Sequence, residues 1–231
     1  MKTKLTTLLL AGALLAGATT LVKDGKPVAA IVLPEKPATI VRNATNDFIY
    51  HIERISGAKL AVAATAPETD AIILTNDATA PNHDYNSLGR NGFIIRNEGG
   101  NLVICASNGG LSQALYWILE EKFGVRWLWP GPLGEVFEPS KDLEINGMDV
   151  SFRQPLPSSR WHCGRPAKAY YNSEKAWKEF HDQNMLWMDR LGFDWDTSIR
   201  SQHAFGHPGW QYGKKYMKSH PEYFNMLPDG T

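Results

Sequence analysis

Apolar positions along the chain switch between two spacings, and the switches mark the elements. The stretch Pro27 to Leu33, with Val28, Ile31, Val32 and Leu33 between Gly25 and Pro34, has the β-branched run of a buried strand. From Thr39 onward Ile40, Val41, Ala44, Phe48, Ile52 and Ile55 recur at steps of three and four, which predicts a helix with one apolar face that stops at Gly57. Lys59 to Ala63 and Ala71 to Leu74 read as further strands. Gly92 to Arg96 and Leu102 to Ala106 flank Asn97-Glu98-Gly99-Gly100-Asn101, a hairpin pattern. After Asn108-Gly109-Gly110 the residues Leu111, Ala114, Leu115, Ile118, Leu119 and Phe123 predict a second helix closed by Gly124. The two helices need the same sheet, so the expected fold is α/β: a small mixed-sheet domain over residues 19–148 with both helices on one face.

The N-terminus follows a different rule. Lys2 and Lys4 precede the apolar run Leu8 to Ala16, and Ala16-Gly17-Ala18 has the small-x-small spacing that a signal peptidase cuts. Residues 1–18 are therefore expected to be a cleaved export signal. The run is shorter than the roughly 20 residues a membrane crossing needs. The mature chain is expected to be soluble, in a bacterial periplasm or outside the cell.

Composition removes other classes. Among 231 residues, 24 basic and 24 acidic side chains cancel, so the chain lacks the basic footprint of a nucleic-acid binder or a peripheral membrane protein. Two cysteines are too few for a disulfide framework or a four-cysteine zinc site. Cys105 reads as a small apolar strand residue. Asn108-Gly109-Gly110 lacks the Lys-Ser/Thr of a phosphate loop and reads as a tight strand-to-helix turn.

One stretch is more specific than the rest. Ile55-Ser56-Gly57-Ala58-Lys59-Leu60 and, later, Leu119-Glu120-Glu121-Lys122-Phe123-Gly124-Val125-Arg126-Trp127-Leu128-Trp129-Pro130-Gly131 with Gly134-Glu135 resemble the N-terminal domain of family 67 α-glucuronidases, itself similar to the small domain of family 20 β-hexosaminidases. The resemblance implies an accessory domain that orients a catalytic (β/α)-barrel and does not carry the catalytic acids. It implies glucuronate removal from xylan fragments as the activity of the whole enzyme. Residues 149–231 then read as the start of an incomplete (β/α)8 barrel. Phe152 to Trp161 approaches a first strand; Trp177, Phe180, Asn184, Met188 and Leu191 are spaced as a helix stopped by Gly192; and a second strand begins at Phe193. A barrel takes about 250 residues, so the chain is expected to be a truncated front end whose partner is the remaining barrel segment.

Candidate chemistry in that second part is carbohydrate chemistry, with no cofactor and no metal expected. Asp194 and Asp196 are its closely spaced carboxylates; on one strand face their Cα atoms would stand about 6.6 Å apart, tolerable for a glycosidase pair. Solvated strand-end carboxylates are the plainer reading, and the resemblance puts the catalytic acids further along. His203 and His207 have the i, i+4 spacing of a zinc pair, but Gly206 and Pro208 oppose the helix it requires, and the alternative use of His203 is to donate to a sugar hydroxyl. Arg160, with Arg153 competing, could grip a carboxylate or vicinal hydroxyls through its fork of donors. Trp161 and Trp210 offer flat faces for stacking on sugar rings, while Trp177 is expected in the core. A noncatalytic carbohydrate-binding or assembly module is the alternative function.

Overall fold

The structure, a computed structural model, describes residues 17–80, 82–155, 173–193, 216 and 218–221. The chain divides into two compact units, Met1–Phe193 and Asp194–Thr231. In the second, the described residues form a turn in which the amides of Ser219 and His220 donate to the Tyr216 carbonyl.

The first unit is built on a six-stranded mixed sheet. Its strands are β3 (Ala30–Val32), β4 (Ala61–Ala63), β5 (Ala71–Thr75), β6 (Phe93–Glu98), β7 (Asn101–Ala106) and β11 (Asp149–Phe152), in the order β11-β6-β7-β5-β3-β4. β7, β5, β3 and β4 run parallel to one another, and the β6–β7 hairpin adds an antiparallel turn before β11 closes that edge. The hairpin turns on Gly99 and Gly100, whose φ values of 57° and 84° are open to residues without a Cβ at little cost. β11 belongs to this sheet, so the sheet continues past residue 148, where the sequence pattern places the next domain. Among the described residues no barrel closes.

Helix α1 (Thr39–Ser56) ends at Gly57 in the left-handed region, and α2 (Asn108–Phe123) ends at Gly124 in the same way, as the apolar spacing predicts. The helices pack on each other, and α2 lies on β6 and β7. Phe48 and Ile52 of α1, Leu111 and Leu115 of α2, and Ile72, Phe93 and Ile104 of the sheet are sealed in one core. Each such side chain contributes about 1.5–3 kcal/mol of burial. Where α2 starts, a Cβ on Gly110 would lie 2.2 Å from the Gly92 carbonyl oxygen, so the helix approaches the sheet at a distance that tolerates only hydrogen there. Asn108-Gly109-Gly110, expected as a turn ahead of the helix, instead form the first turn of α2, with Ser107 as the cap accepting from the Gly110 amide.

The local pattern does not show two smaller sheets. β1 (Thr19–Lys23) lies between β2 (Lys26–Pro27) and β10 (Leu143–Ile145), and β8 (Arg126–Trp127) pairs with β9 (Glu135–Val136). The third helix, α3 (Glu174–Arg190), has the expected face: Met188 is fully buried, Trp187 packs on the core, and the Gln113 amide of α2 donates to the Asp189 carbonyl at 2.9 Å. Trp177 departs from expectation. It is half-buried and stacks on His181 with centroids 5.3 Å apart, because the first turns of α3 lie outside the core.

Candidate functional site

Two features of the first unit concentrate chemistry: a buried network of charged groups and a cavity beside it. The network starts on α1, where Asp47, Tyr50, His51 and Arg54 fall at three- and four-residue steps and share a face. The last residue of α3, Arg190, meets that face. Its Nε donates to Asp47 Oδ2 at 2.7 Å and its Nη2 to Oδ1 at 2.8 Å, a two-pronged grip on one carboxylate. Arg190 Nη1 donates to Glu135 Oε1 at 2.9 Å, and the guanidinium lies 5.6 Å from the centroid of the Trp127 ring. Glu135 Oε2 in turn accepts from Arg54 at 2.5 Å and from the Tyr50 hydroxyl at 3.1 Å.

His51 joins the two sides. Its Nε2 accepts from the Trp127 indole at 3.0 Å, and because indole nitrogen only donates, the ring proton sits on Nδ1, 2.8 Å from the Asp47 carbonyl oxygen. The imidazole is neutral. Burial holds its pKa below the ordinary 6.5, against the pull of Asp47 and with Arg190 adding to the lowering. Burial works to lower the Arg190 pKa as well, but the Asp47 hydrogen bonds and the two carboxylates outweigh it and raise the balance. Tyr116 of α2 stands nearby with its phenol pushed far above its usual range by burial first and Asp47 second. Among the described residues no buried side-chain nitrogen or oxygen lacks a partner.

That arrangement is suited to holding and not to catalysis. The Asp47, Glu135 and Arg190 side chains are 8%, 3% and 3% exposed, so neither carboxylate can meet a substrate; Asp47 is spent on Arg190, and Glu135 on Arg190 and Arg54. The described residues hold no cluster of three metal-ligating side chains. Cys105 is a free thiol on β7, donating to the carbonyls of Asp77 and His83; burial, then Asp77, pushes its pKa up to about 11, which leaves it unreactive near neutral pH.

The cavity, about 250 Å³, lies where α2, β6, β11 and the end of α3 meet. Gln113, Tyr116, Trp117 and Glu120 present one face of α2 to it, and Phe93, Phe152 and Gln154 line the opposite side. Phe93 and Phe152 stack with centroids 4.8 Å apart, and Trp117 leans on Phe93 at 6.0 Å. Half-burial raises the Glu120 pKa, with Arg126 opposing and Glu121 adding to the rise.

The site residues expected from sequence, Arg160, Trp161, Asp194, Asp196, His203, His207 and Trp210, lie outside the described residues. Arg153 is described and is exposed. The groups that sequence reasoning missed are Asp47, His51 and Arg190. A signal was present for part of the network: Trp127 and Glu135 belong to the Gly-Val-Arg-Trp to Gly-Glu run, and the structure shows that run folding into a hairpin whose indole and carboxylate reach α1 and α3.

A scan against protein-family models and a search of curated proteins matched nothing. Solved structures do resemble the chain. A family 115 4-O-methyl-α-glucuronidase with specificity for decorated arabinogalactans superimposes with a TM-score of 0.55 at 16% identity, over 76% of this chain and 25% of that one. A family 20 exo-β-N-acetylglucosaminidase from Vibrio harveyi matches at 0.38 and 13% identity, over 63% and 19%, and a chitobiase from Flavobacterium johnsoniae at 0.34 and 9%, over 64% and 21%. The chain thus has a fold found in glycoside hydrolases and spans a quarter of the length of the glucuronidase it matches.

Proposed function

We propose that this chain is the front, noncatalytic part of an exported glycoside hydrolase, and that glucuronate removal from a decorated polysaccharide is the activity of the whole enzyme. The observation that carries the reading is the fold likeness to the glucuronidase, which extends over 76% of the chain. The Gly-Val-Arg-Trp run, which resembles family 67, supports it from the sequence side. The charge network supports the noncatalytic part: its buried carboxylates are consumed by guanidinium groups of the same unit and are not free to act on a substrate. In this reading the chain beyond the α/β unit begins the catalytic barrel, and Arg160, Trp161, His203, His207 and Trp210 supply substrate contacts there.

The test compares two proteins, the 231-residue chain and the product of the longest reading frame that contains it, on glucuronoxylan fragments and decorated arabinogalactan. Release of glucuronate or its 4-O-methyl ether by the longer product, with none by the 231 residues alone, is the expected result. Hydrolysis by the short chain would overturn the noncatalytic assignment. Polysaccharide binding without hydrolysis by either protein would transfer the chain to the carbohydrate-binding alternative, which the aromatic cavity favours.

A further inference from the structure

The face of α2 that meets the cavity is unlike the face that meets the core. Leu111, Ala114, Leu115 and Ile118 seal the core, whereas Gln113, Trp117 and Glu120 are half-buried and turned to a space of about 250 Å³. Gln113 donates one amide proton to the Asp189 carbonyl. The side chains of Asn91, Glu120 and Gln154 also line this space and have no hydrogen-bond partner among the described residues. Half-buried polar groups with no partner among the described residues are placed to be satisfied by a ligand or bound water. Between them stand the half-buried rings of Phe152, which stacks on the core residue Phe93, and of Trp117, tilted 59° to Phe93 with the Lys122 ammonium 5.9 Å from its centroid.

We propose that this cavity is a binding subsite for a single neutral pyranose unit. A pyranose has an apolar face of C–H groups and a rim of hydroxyls, so it needs a flat aromatic wall flanked by donors and acceptors. The cavity supplies both within one ring's reach, in the usual proportion of an apolar lining with a few converging polar groups. Glu120 accepts from two vicinal hydroxyls, and the Asn91 and Gln154 amides each give and take one hydrogen bond. The same carboxylate sets the specificity. Arg190 lies at the cavity's edge with its guanidinium occupied by Asp47 and Glu135, and no other cation is among the described lining residues, Arg126 acting on Glu120 from outside them, so the Glu120 carboxylate disfavours a uronate. The subsite therefore takes a neutral main-chain sugar, where the proposed activity acts on the acidic side group. This inference rests on the carbohydrate reading above.

The experiment titrates the full 231-residue chain with methyl β-D-xylopyranoside, methyl β-D-galactopyranoside and sodium glucuronate, following tryptophan fluorescence and heat. Saturable binding of at least one neutral glycoside is expected, weakened at least about tenfold in Glu120→Ala, which loses both charge-assisted hydrogen bonds. Gln154→Ala weakens it less, and the urea midpoint of both variants stays at the wild-type value because the residues are only half-buried. Glucuronate binds more weakly than the neutral sugars, and Glu120→Gln narrows that gap. Absence of saturation by both neutral glycosides up to about 50 mM, beyond the range of even a weak millimolar site, would overturn the inference. So would binding that both alanine variants leave unchanged. Glycoside cleavage by the longest product together with an unresponsive cavity sinks this inference alone; cavity binding without any cleavage sinks the hydrolase reading alone.

Discussion

Arg190 is the residue on which most of the unit's buried charge depends. One guanidinium pairs with Asp47 and with Glu135, which Arg54 also pairs, and lies near Trp127, so α1 and the β8–β9 hairpin, each more than fifty residues from Arg190 in sequence, converge on one side chain. Deleting one partner of a buried pair leaves the other charged without water. Arg190→Met is therefore expected to cost about 3–5 kcal/mol in urea unfolding. Combined with Asp47→Leu it should cost less than the two single losses added, since the orphaned carboxylate is gone; strictly additive losses would refute the clamp. His51 makes a pH-dependent contribution at the same place. Its folded pKa is depressed below 6.5, so it is neutral in both states above that value and contributes no pH dependence there. As pH falls below about 6.5, the unfolded chain takes up the proton first, and stability drops toward the folded pKa by at most about 1.4 kcal/mol per pH unit. The difference in unfolding free energy between wild type and His51→Gln should shrink across that window, and a constant difference would show that His51 does not titrate as the buried geometry requires.

At the scale of elements, β11 and α3 decide where the folding unit ends. β11 pairs with β6 through four residues and places Phe152 on Phe93, while α3 contributes Met188, Trp187 and the clamp. The Trp187 indole donates to the Trp127 carbonyl at 2.8 Å, tying α3 to the β8–β9 hairpin. A protein ending at Met148 keeps both main helices yet exposes the β6 edge and leaves the buried Asp47 without a guanidinium, Glu135 keeping Arg54 and Tyr50. It is expected to lose its cooperative urea transition by circular dichroism, whereas one ending at Phe193 keeps it. Equal midpoints for the two would mean that β11 and α3 are appendages. Helical periodicity marks α3 plainly but not its attachment, because spacing reports that a face is apolar and not what that face meets.

At the scale of the molecule, the expected export signal meets the folded unit at a sharp boundary. Thr19 is fully buried as the first residue of β1; its hydroxyl donates to the Gly100 carbonyl, and the Thr20 amide donates to Asp70 Oδ1 at 2.6 Å. A bond beside a buried strand is out of a peptidase's reach once β1 has paired with β10. On the reading of residues 1–18 as an export signal, cleavage after Ala18 precedes folding, and the intact mass of the exported protein is expected to correspond to a chain starting at Thr19. A precursor that is first folded and then exposed to signal peptidase should remain uncut; efficient cutting of the folded precursor would place the junction elsewhere. Among the described residues no helix is long and apolar enough to cross a membrane.

Much of the architecture is legible in the chain because its information is local. The apolar steps of α1, α2 and α3 and their closing glycines, the Gly99-Gly100 turn and the β5, β6 and β7 runs each depend on residues within one or two turns of each other. β1 and β10 were not legible: three- and five-residue strands carry little pattern, and Thr19 pairs with Ile145, a partner that no local window contains. The same holds for the candidate site. Asp47 and His51 look like ordinary polar positions on an amphipathic helix until Arg190 and Trp127 arrive from other elements, and Glu120 reads as one of two neighbouring acids on α2. The sequence by itself determined which segments are helix or strand and which faces are apolar, since those follow from backbone propensity and periodic burial. Only the tertiary structure decided which polar residues became a buried clamp and which were left facing a cavity, because desolvation and pairing depend on neighbours brought from afar.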